Sequence, residues 1–109
     1  MKLDFSSIEE QTLSHFNGGE GALLAKMHLY SGNKALLGRL APGSSIGMHT
    51  HTGSCEYIYI LSGEAVALCG GEEETLFPGD AHLCPEGCAH SLVNRGEKEV
   101  RFFAVVPRQ

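Results

Sequence analysis

The sequence predicts an all-β protein, one small sandwich or barrel of short antiparallel strands. Three observations carry this reading. Turn signals recur at short intervals, and 14 of the 109 residues are glycine, the residue that best tolerates tight turns. Between the turns lie runs such as Glu56-Tyr57-Ile58-Tyr59-Ile60-Leu61, whose β-branched and aromatic side chains suit a pleated, half-buried surface. No stretch carries the apolar period of a long helix. A chain of 109 residues builds a single domain. A jelly roll is one of the few ways to close so many antiparallel strands.

The elements follow in order. Residues 1–20 are the least patterned, with Leu3, Phe5, Ile8, Leu13 and Phe16 scattered among polar residues. They read as an N-terminal arm packed on the domain or on a partner subunit, covering an edge strand. Gly18-Gly19 and Gly21 separate the arm from residues 21–109, the main domain. Ala22 to Tyr30 is strand-like, with Met27 and Leu29 alternating against Lys26 and His28. Ser31-Gly32-Asn33 turns, and Ala35 to Leu40 is a strand ending at Pro42-Gly43. Ile46 to His51 and Glu56 to Leu61 follow, joined by the polar stretch Thr52 to Cys55. Ser62-Gly63 turns into Glu64 to Cys69. Gly70-Gly71 with Glu72, Glu73 and Glu74 reads as a solvated hairpin tip, and the glutamates as a surface feature. Thr75 to Phe77, Ala81 to Cys84 and His90 to Asn94 are short strands around two Pro-Gly turns. Arg95 to Lys98 turns, and Val100 to Val106 closes the chain with an apolar strand.

The middle of the chain concentrates metal-ligand side chains. His49 and His51 are two residues apart, so on a strand both imidazoles reach one face while Thr50 points away. A hairpin would bring Glu56 back beside them, and His90 would enter from a second hairpin. Three imidazoles and one carboxylate make a mixed nitrogen and oxygen site, suited to divalent first-row metals. Each residue alone means little, because an H-x-H pair is a weak signal and a lone strand histidine is usually structural. The joint pattern is stronger. Gly43, His49, His51, Glu56 and Gly63 follow G-x5-H-x-H-x4-E-x6-G, and Gly79, Pro85, Gly87, His90 and Asn94 follow G-x5-P-x-G-x2-H-x3-N.

These two patterns match the two motifs of the cupin superfamily at every fixed position, over residues 43–63 and 79–94. The chain resembles a small single-domain cupin. That resemblance implies a double-stranded β-helix, the jelly-roll cupin barrel, with a metal near its mouth. It makes His49, His51, Glu56 and His90 the ligands of one divalent transition metal per chain: Mn, Fe, Ni, Co, Zn or Cu. Such a set leaves two water-occupied positions on an octahedral ion, and open positions are what a substrate needs. Oxygenase, isomerase and lyase chemistry all occur on this fold, acting on small polar or chelating molecules. Cupins of this size commonly pair, so a homodimer is expected.

Other residues carry weaker expectations. Tyr57 and Tyr59 alternate with Glu56 and should face away from the metal. Ile58, Ile60, Leu92 and Phe103 are candidates for the apolar pocket wall, and Asn94 for a turn anchor. His82 is the weak catalytic candidate. It is expected to face outward or to be structural, and only an inward face would let it act as a base or hydrogen-bond a neighbour. Cys55 and Glu86 are the other groups that could serve as acid or base. Gly63, Gly79 and Gly87 mark turns with positive φ. A buried Arg39 or Arg101 would suggest a carboxylate or phosphate substrate, but alternation places neither.

Charge and composition exclude some classes. The net charge of −5 disfavours nucleic acid or an anionic membrane as partner. No apolar stretch approaches the ~20 residues of a membrane span, and the start Met1-Lys2-Leu3-Asp4-Phe5 lacks the apolar core of a signal peptide. A soluble, cytoplasmic protein is expected. Cys55, Cys69, Cys84 and Cys88 show no paired C-x2-C spacing. They read as free thiols acting as small buried apolar residues, with a Cys84–Cys88 bridge or a redox role for Cys55 or Cys84 as alternatives. Three functions fit: a metal-dependent enzyme, a metal-dependent binding or sensing module, and a metal-free structural cupin. The intact ligand set weighs against the last.

Overall fold

The computed structural model describes residues 1–109. The strands are β1 (Gln11–Ser14), β2 (Ala22–Tyr30), β3 (Asn33–Leu40), β4 (Ser45–Thr50), β5 (Glu56–Ser62), β6 (Ala65–Cys69), β7 (Glu72–Leu76), β8 (Ala81–Cys84), β9 (Ala89–Val93) and β10 (Val100–Val106). One sheet has six strands in the order β1-β2-β3-β10-β5-β8, and the other has four in the order β4-β9-β6-β7. All pairings are antiparallel. The chain is all-β and has the two-sheet form of the double-stranded β-helix. Two 3-10 turns, Phe5–Ser7 and Phe16–Gly18, are the only helical pieces, and no helix is long and apolar enough to cross a membrane.

Alternation decides what is buried. In β5, Glu56, Ile58 and Ile60 are buried, while Tyr57, Tyr59 and Leu61 are exposed on the outer face. In β10, Val100, Phe102 and Ala104 point in and Arg101 points out. Phe103, expected in the pocket wall, shares the outward register of Arg101 and packs edge-on against Phe5 at 5.6 Å. Phe102 takes the inward place and is fully buried. Each such large apolar side chain contributes about 1.5–3 kcal/mol by leaving water. Gly38 in β3 is part of this packing, because a Cβ there would meet Cζ of Phe102 at 2.5 Å.

Residues 11–14 of the N-terminal arm form β1, the edge strand beside β2 of the same chain. Two expectations change. Glu72, Glu73 and Glu74 lie within β7 and not in a hairpin tip. The tip is Gly70-Gly71 alone, with φ of 61° and 77°, the conformation a two-residue hairpin demands. Finally, β4 and β5 form no hairpin, nor do β8 and β9, because each pair is split between the two sheets. Glu56 and His90 therefore reach the histidines of the first motif by other routes. Gly63 holds a positive φ of 80° at the crossing from β5 to β6.

Candidate metal centre

The four motif residues meet across the gap between the sheets. His49 on β4 stands directly opposite His90 on the neighbouring strand β9. His51 lies just past the end of β4, where its N–H donates to Cys88 O at 3.0 Å and its carbonyl accepts from Gly87 N–H at 2.6 Å. The turn before β9 thus clamps His51 in place, and the φ of 84° at Gly87 is what lets that turn close. Glu56 opens β5 in the other sheet, opposite Cys84 of β8. One ligand atom from each of His49, His51, Glu56 and His90 lies within 4.8 Å of all the others. His51, Glu56 and His90 are buried, and His49 is half-buried.

A shift in the β4–β9 register falls between Ile46 and His49. Gly47 lies in this bulge, and a Cβ there would strike the backbone of Asn17. The Phe16–Gly18 turn therefore rests directly on β4 beside the histidines. Gly47 O also receives a hydrogen bond from His49 Nδ1 at 2.7 Å, so the neutral ring keeps its proton on Nδ1 and leaves Nε2 bare.

Glu56 Oε1 lies 2.9 Å from His90 Nε2, 3.0 Å from His51 Nε2 and 3.9 Å from His49 Nε2. His51 Nε2 and His90 Nε2 are 3.0 Å apart. Burial alone would raise the Glu56 carboxyl, but the imidazoles around it, His49 and His90 first, bring it down to about 2. His49 is shifted up by its pairing with Glu56, whereas burial pushes His51 down. Glu56 thus stays ionised and the buried His51 favours its neutral form. Three imidazoles and a carboxylate gathered this closely can hold a cation between them, and this donor set fits a divalent first-row metal.

Beside these ligands lies a cavity of about 180 Å³, reached by His49, His51 and Glu56. Its wall includes Phe16, Leu23, Leu36, Ile46, Phe102 and Val106, together with Asn17 and Lys34. Ile58, Ile60 and Leu92 are core residues and not part of this wall. Sequence reasoning missed Lys34, the one cationic side chain at the cavity, because it begins a strand beside a turn and carries no motif. A larger, open depression of about 470 Å³ lies between Gly63-Glu64, Phe77-Pro78 and Gly96-Lys98. It holds no metal-ligand cluster, and the candidate ligands border the smaller cavity instead.

His82 departs from expectation. It points inward and is only 4% exposed, because β8 alternates out, in, out, in from Ala81 to Cys84. Its Nε2 lies 3.0 Å from His90 Nδ1, and its Nδ1 lies 2.5 Å from Glu74 Oε1. His82 touches the back of a candidate ligand and does not line the cavity. Glu86 is exposed and accepts from Gly53 N–H. Arg39 pairs outside the barrel with Glu10 and Glu99, and Arg101 is exposed. Asn94 is fully buried and bonded to backbone. All four cysteines are free thiols, with Cys55 and Cys84 buried; burial pushes the Cys84 thiol up to about 12, which leaves it protonated and inert.

Comparison with known proteins agrees with this geometry. The chain is 37% identical over 109 residues to the oxalate-binding protein of Thermotoga maritima, covering 93% of this chain and 88% of that one. It is 33% identical over 109 residues to tetracenomycin polyketide synthase protein TcmJ of Streptomyces glaucescens, covering 97% and 71%. Among solved structures, a protein described as a predicted oxalate decarboxylase from Thermotoga maritima superposes with a TM-score of 0.93 at 30% identity over 100% of both chains. A sugar phosphate isomerase of the cupin superfamily from Silicibacter pomeroyi gives a TM-score of 0.82 at 26% identity, over 100% of this chain and 76% of that one. A family model described as the cupin domain matches residues 36–106, which hold the whole four-stranded sheet and, of the larger sheet, all but β1, β2 and the start of β3, and the chain belongs to that family.

Proposed function

We propose that this chain uses His49, His51, Glu56 and His90 to bind one divalent transition metal, and uses that metal to hold a small chelating anion of the oxalate class. The observation that carries the reading is the convergence of these ligand atoms within 4.8 Å beside a cavity that also receives Lys34. A divalent ion with one carboxylate ligand keeps a net positive charge, and the Lys34 ammonium adds to it. Such a site favours a small dianion over a neutral ligand of the same size. The cavity volume of about 180 Å³ is well below the ~300 Å³ at which pockets for drug-sized ligands begin. The likeness to an oxalate-binding protein points the same way.

A metal held by His49, His51, Glu56 and His90 would supply Lewis acidity to a chelating anion beside it. The chain's own residues do the rest. Lys34 pairs with a ligand carboxylate, the apolar wall excludes water and strengthens that pair, and the Phe16–Gly18 turn closes one side. Turnover, as an oxygenase, isomerase or lyase, is the second reading. The cupin resemblance favours it, but no cavity-lining side chain outside the ligand set is an acid or base other than Lys34.

Calorimetric titration of sodium oxalate into manganese-loaded and chelator-treated protein tests the proposal. Binding that requires the metal is the expected result. Equal heats with and without metal would overturn it. Consumption of ¹³C-oxalate by the loaded protein would move the reading to an enzyme.

A further inference from the structure

A carboxylate on the outer edge of one sheet reaches the metal site through the other. β7 is one edge of the four-stranded sheet and β8 one edge of the six-stranded sheet. The bond between Glu74 of β7 and His82 of β8 spans these edges, and His82 passes the contact on to His90 of β9. The burial changes steeply along this path. The side chains of Glu74, His82 and His90 are 56%, 3% and 1% exposed.

The proton positions follow from the hydrogen-bonding capacity of each group. An ionised carboxylate only accepts, so His82 Nδ1 must carry the proton that Glu74 receives. A singly protonated His82 then has a bare Nε2, which can only accept. His90 Nδ1 then donates to it, and His90 Nε2, which faces His51 and Glu56, is free to be bare when a metal is bound. The His82 and His90 rings are inclined by only 20° with centroids 5.2 Å apart. That separation is almost the sum of a hydrogen bond and two ring radii, so the nitrogens meet in plane rather than face to face.

We infer that Glu74 and His82 are positioning residues that hold His90 in the tautomer a metal requires. Glu74 thereby sets the affinity of a site it never touches. This inference rests on the metal-binding reading above. Metal-ligating histidines generally owe their tautomer and orientation to a partner on the other ring nitrogen, and loss of that partner typically weakens the metal about 10- to 100-fold. Here the partner is a second histidine, whose Nε2 could meet His90 either bare or protonated. Glu74 removes that ambiguity, and without it His82 is free to offer Nε2–H to His90 and stabilise the wrong tautomer.

Glu74 makes the test clean, because it is exposed and its replacement leaves the core intact. Cobalt(II) is titrated into wild type, Glu74→Ala, Glu72→Ala and His82→Gln, with the visible absorption of bound cobalt as readout. Glu72→Ala removes the same charge from the same strand without touching His82, and it should bind within about twofold of wild type. Glu74→Ala should bind roughly tenfold more weakly, within the range for such partners. His82→Leu, titrated alongside, should also lose affinity, and His82→Gln, whose carbonyl oxygen can accept from His90 Nδ1–H, should recover part of that loss. In zinc-loaded wild type, nitrogen-15 NMR should show Nδ1 protonated on both His82 and His90. Equal affinities for Glu74→Ala and Glu72→Ala would overturn the inference while leaving the metal site standing. Wild type that takes up no cobalt would overturn both.

Discussion

Replacing Asn94 by alanine should damage stability far more than metal binding. The Asn94 side chain is fully buried where β9 ends. Its Nδ2 donates to Leu40 O and Lys98 O, each at 2.9 Å, and its Oδ1 accepts from Gly96 N–H at 3.0 Å. One amide thus ties the end of β3 to the turn before β10. The Leu40 carbonyl lies in the interior, and leaving it without a partner costs about 1–3 kcal/mol. The other two groups are partly buried, and each lost bond costs about 0.5–1.5 kcal/mol. The combined loss is roughly 4 kcal/mol, a large share of the ~5–15 kcal/mol that holds a domain folded. At about 4–8 °C per kcal/mol, the melting temperature should fall by roughly 15–30 °C. Urea unfolding followed by circular dichroism, with chelator present so that bound metal adds nothing, measures the change directly. Asn94→Asp should lose at least as much, since it forfeits both donated bonds and buries a charge. The folded Asn94→Ala protein should bind metal within about threefold of wild type. A loss below about 1 kcal/mol would refute the argument.

Further expectations concern the cavity, the thiols and the outer face. Lys34→Met should weaken oxalate binding to the metal-loaded protein roughly tenfold, the low end for a charge-assisted hydrogen bond because Lys34 is only half-buried. Metal affinity should be kept, and calorimetry separates the two; unchanged oxalate affinity would remove Lys34 from the ligand site. Iodoacetamide at pH 8 should label the exposed Cys88 first and leave Cys84 unmodified, given its burial and its raised thiol; peptide mass spectrometry checks this, and early labelling of Cys84 would contradict it. Tyr57, Tyr59, Leu61 and Leu83 expose an apolar strip on the outer face of the larger sheet, so light scattering at micromolar concentration should show a homodimer. Tyr59→Glu should shift it towards monomer, and a monomeric wild type would remove the expectation.

The sequence was most legible where a short-range rule applied. β2 matches its expected range of Ala22 to Tyr30, and β8 and β10 match theirs. These strands end at glycine, proline or polar turns, and burial alternates through the first half of β2 and of β10. Tyr57 and Tyr59 face outward as alternation requires. The convergence of His49, His51, Glu56 and His90 was legible from spacing and family resemblance. Their route to one point was not, because strand period says which face a residue occupies and not which sheet the strand joins. Glu56 and His90 arrive across the sandwich, on strands of different sheets. The same blindness hid the Glu74–His82 bond, whose partners lie on edge strands that share no backbone pairing. His82 was misjudged because a strand of only 4 residues, Ala81–Cys84, offers too little alternation to fix its phase. Phe103 was misjudged although Arg101, two residues earlier, already marked the outward register.

The central claim is that this cupin binds a metal through these particular side chains. Elemental analysis of untagged protein purified without chelator tests it most directly, with His51→Ala and His90→Ala prepared alongside. About one equivalent of a divalent transition metal per wild-type chain is expected, with occupancy sharply reduced in both variants while circular dichroism stays that of a β protein. Wild type that stays metal-free after reconstitution, or variants that hold the metal as fully as wild type, would contradict the account.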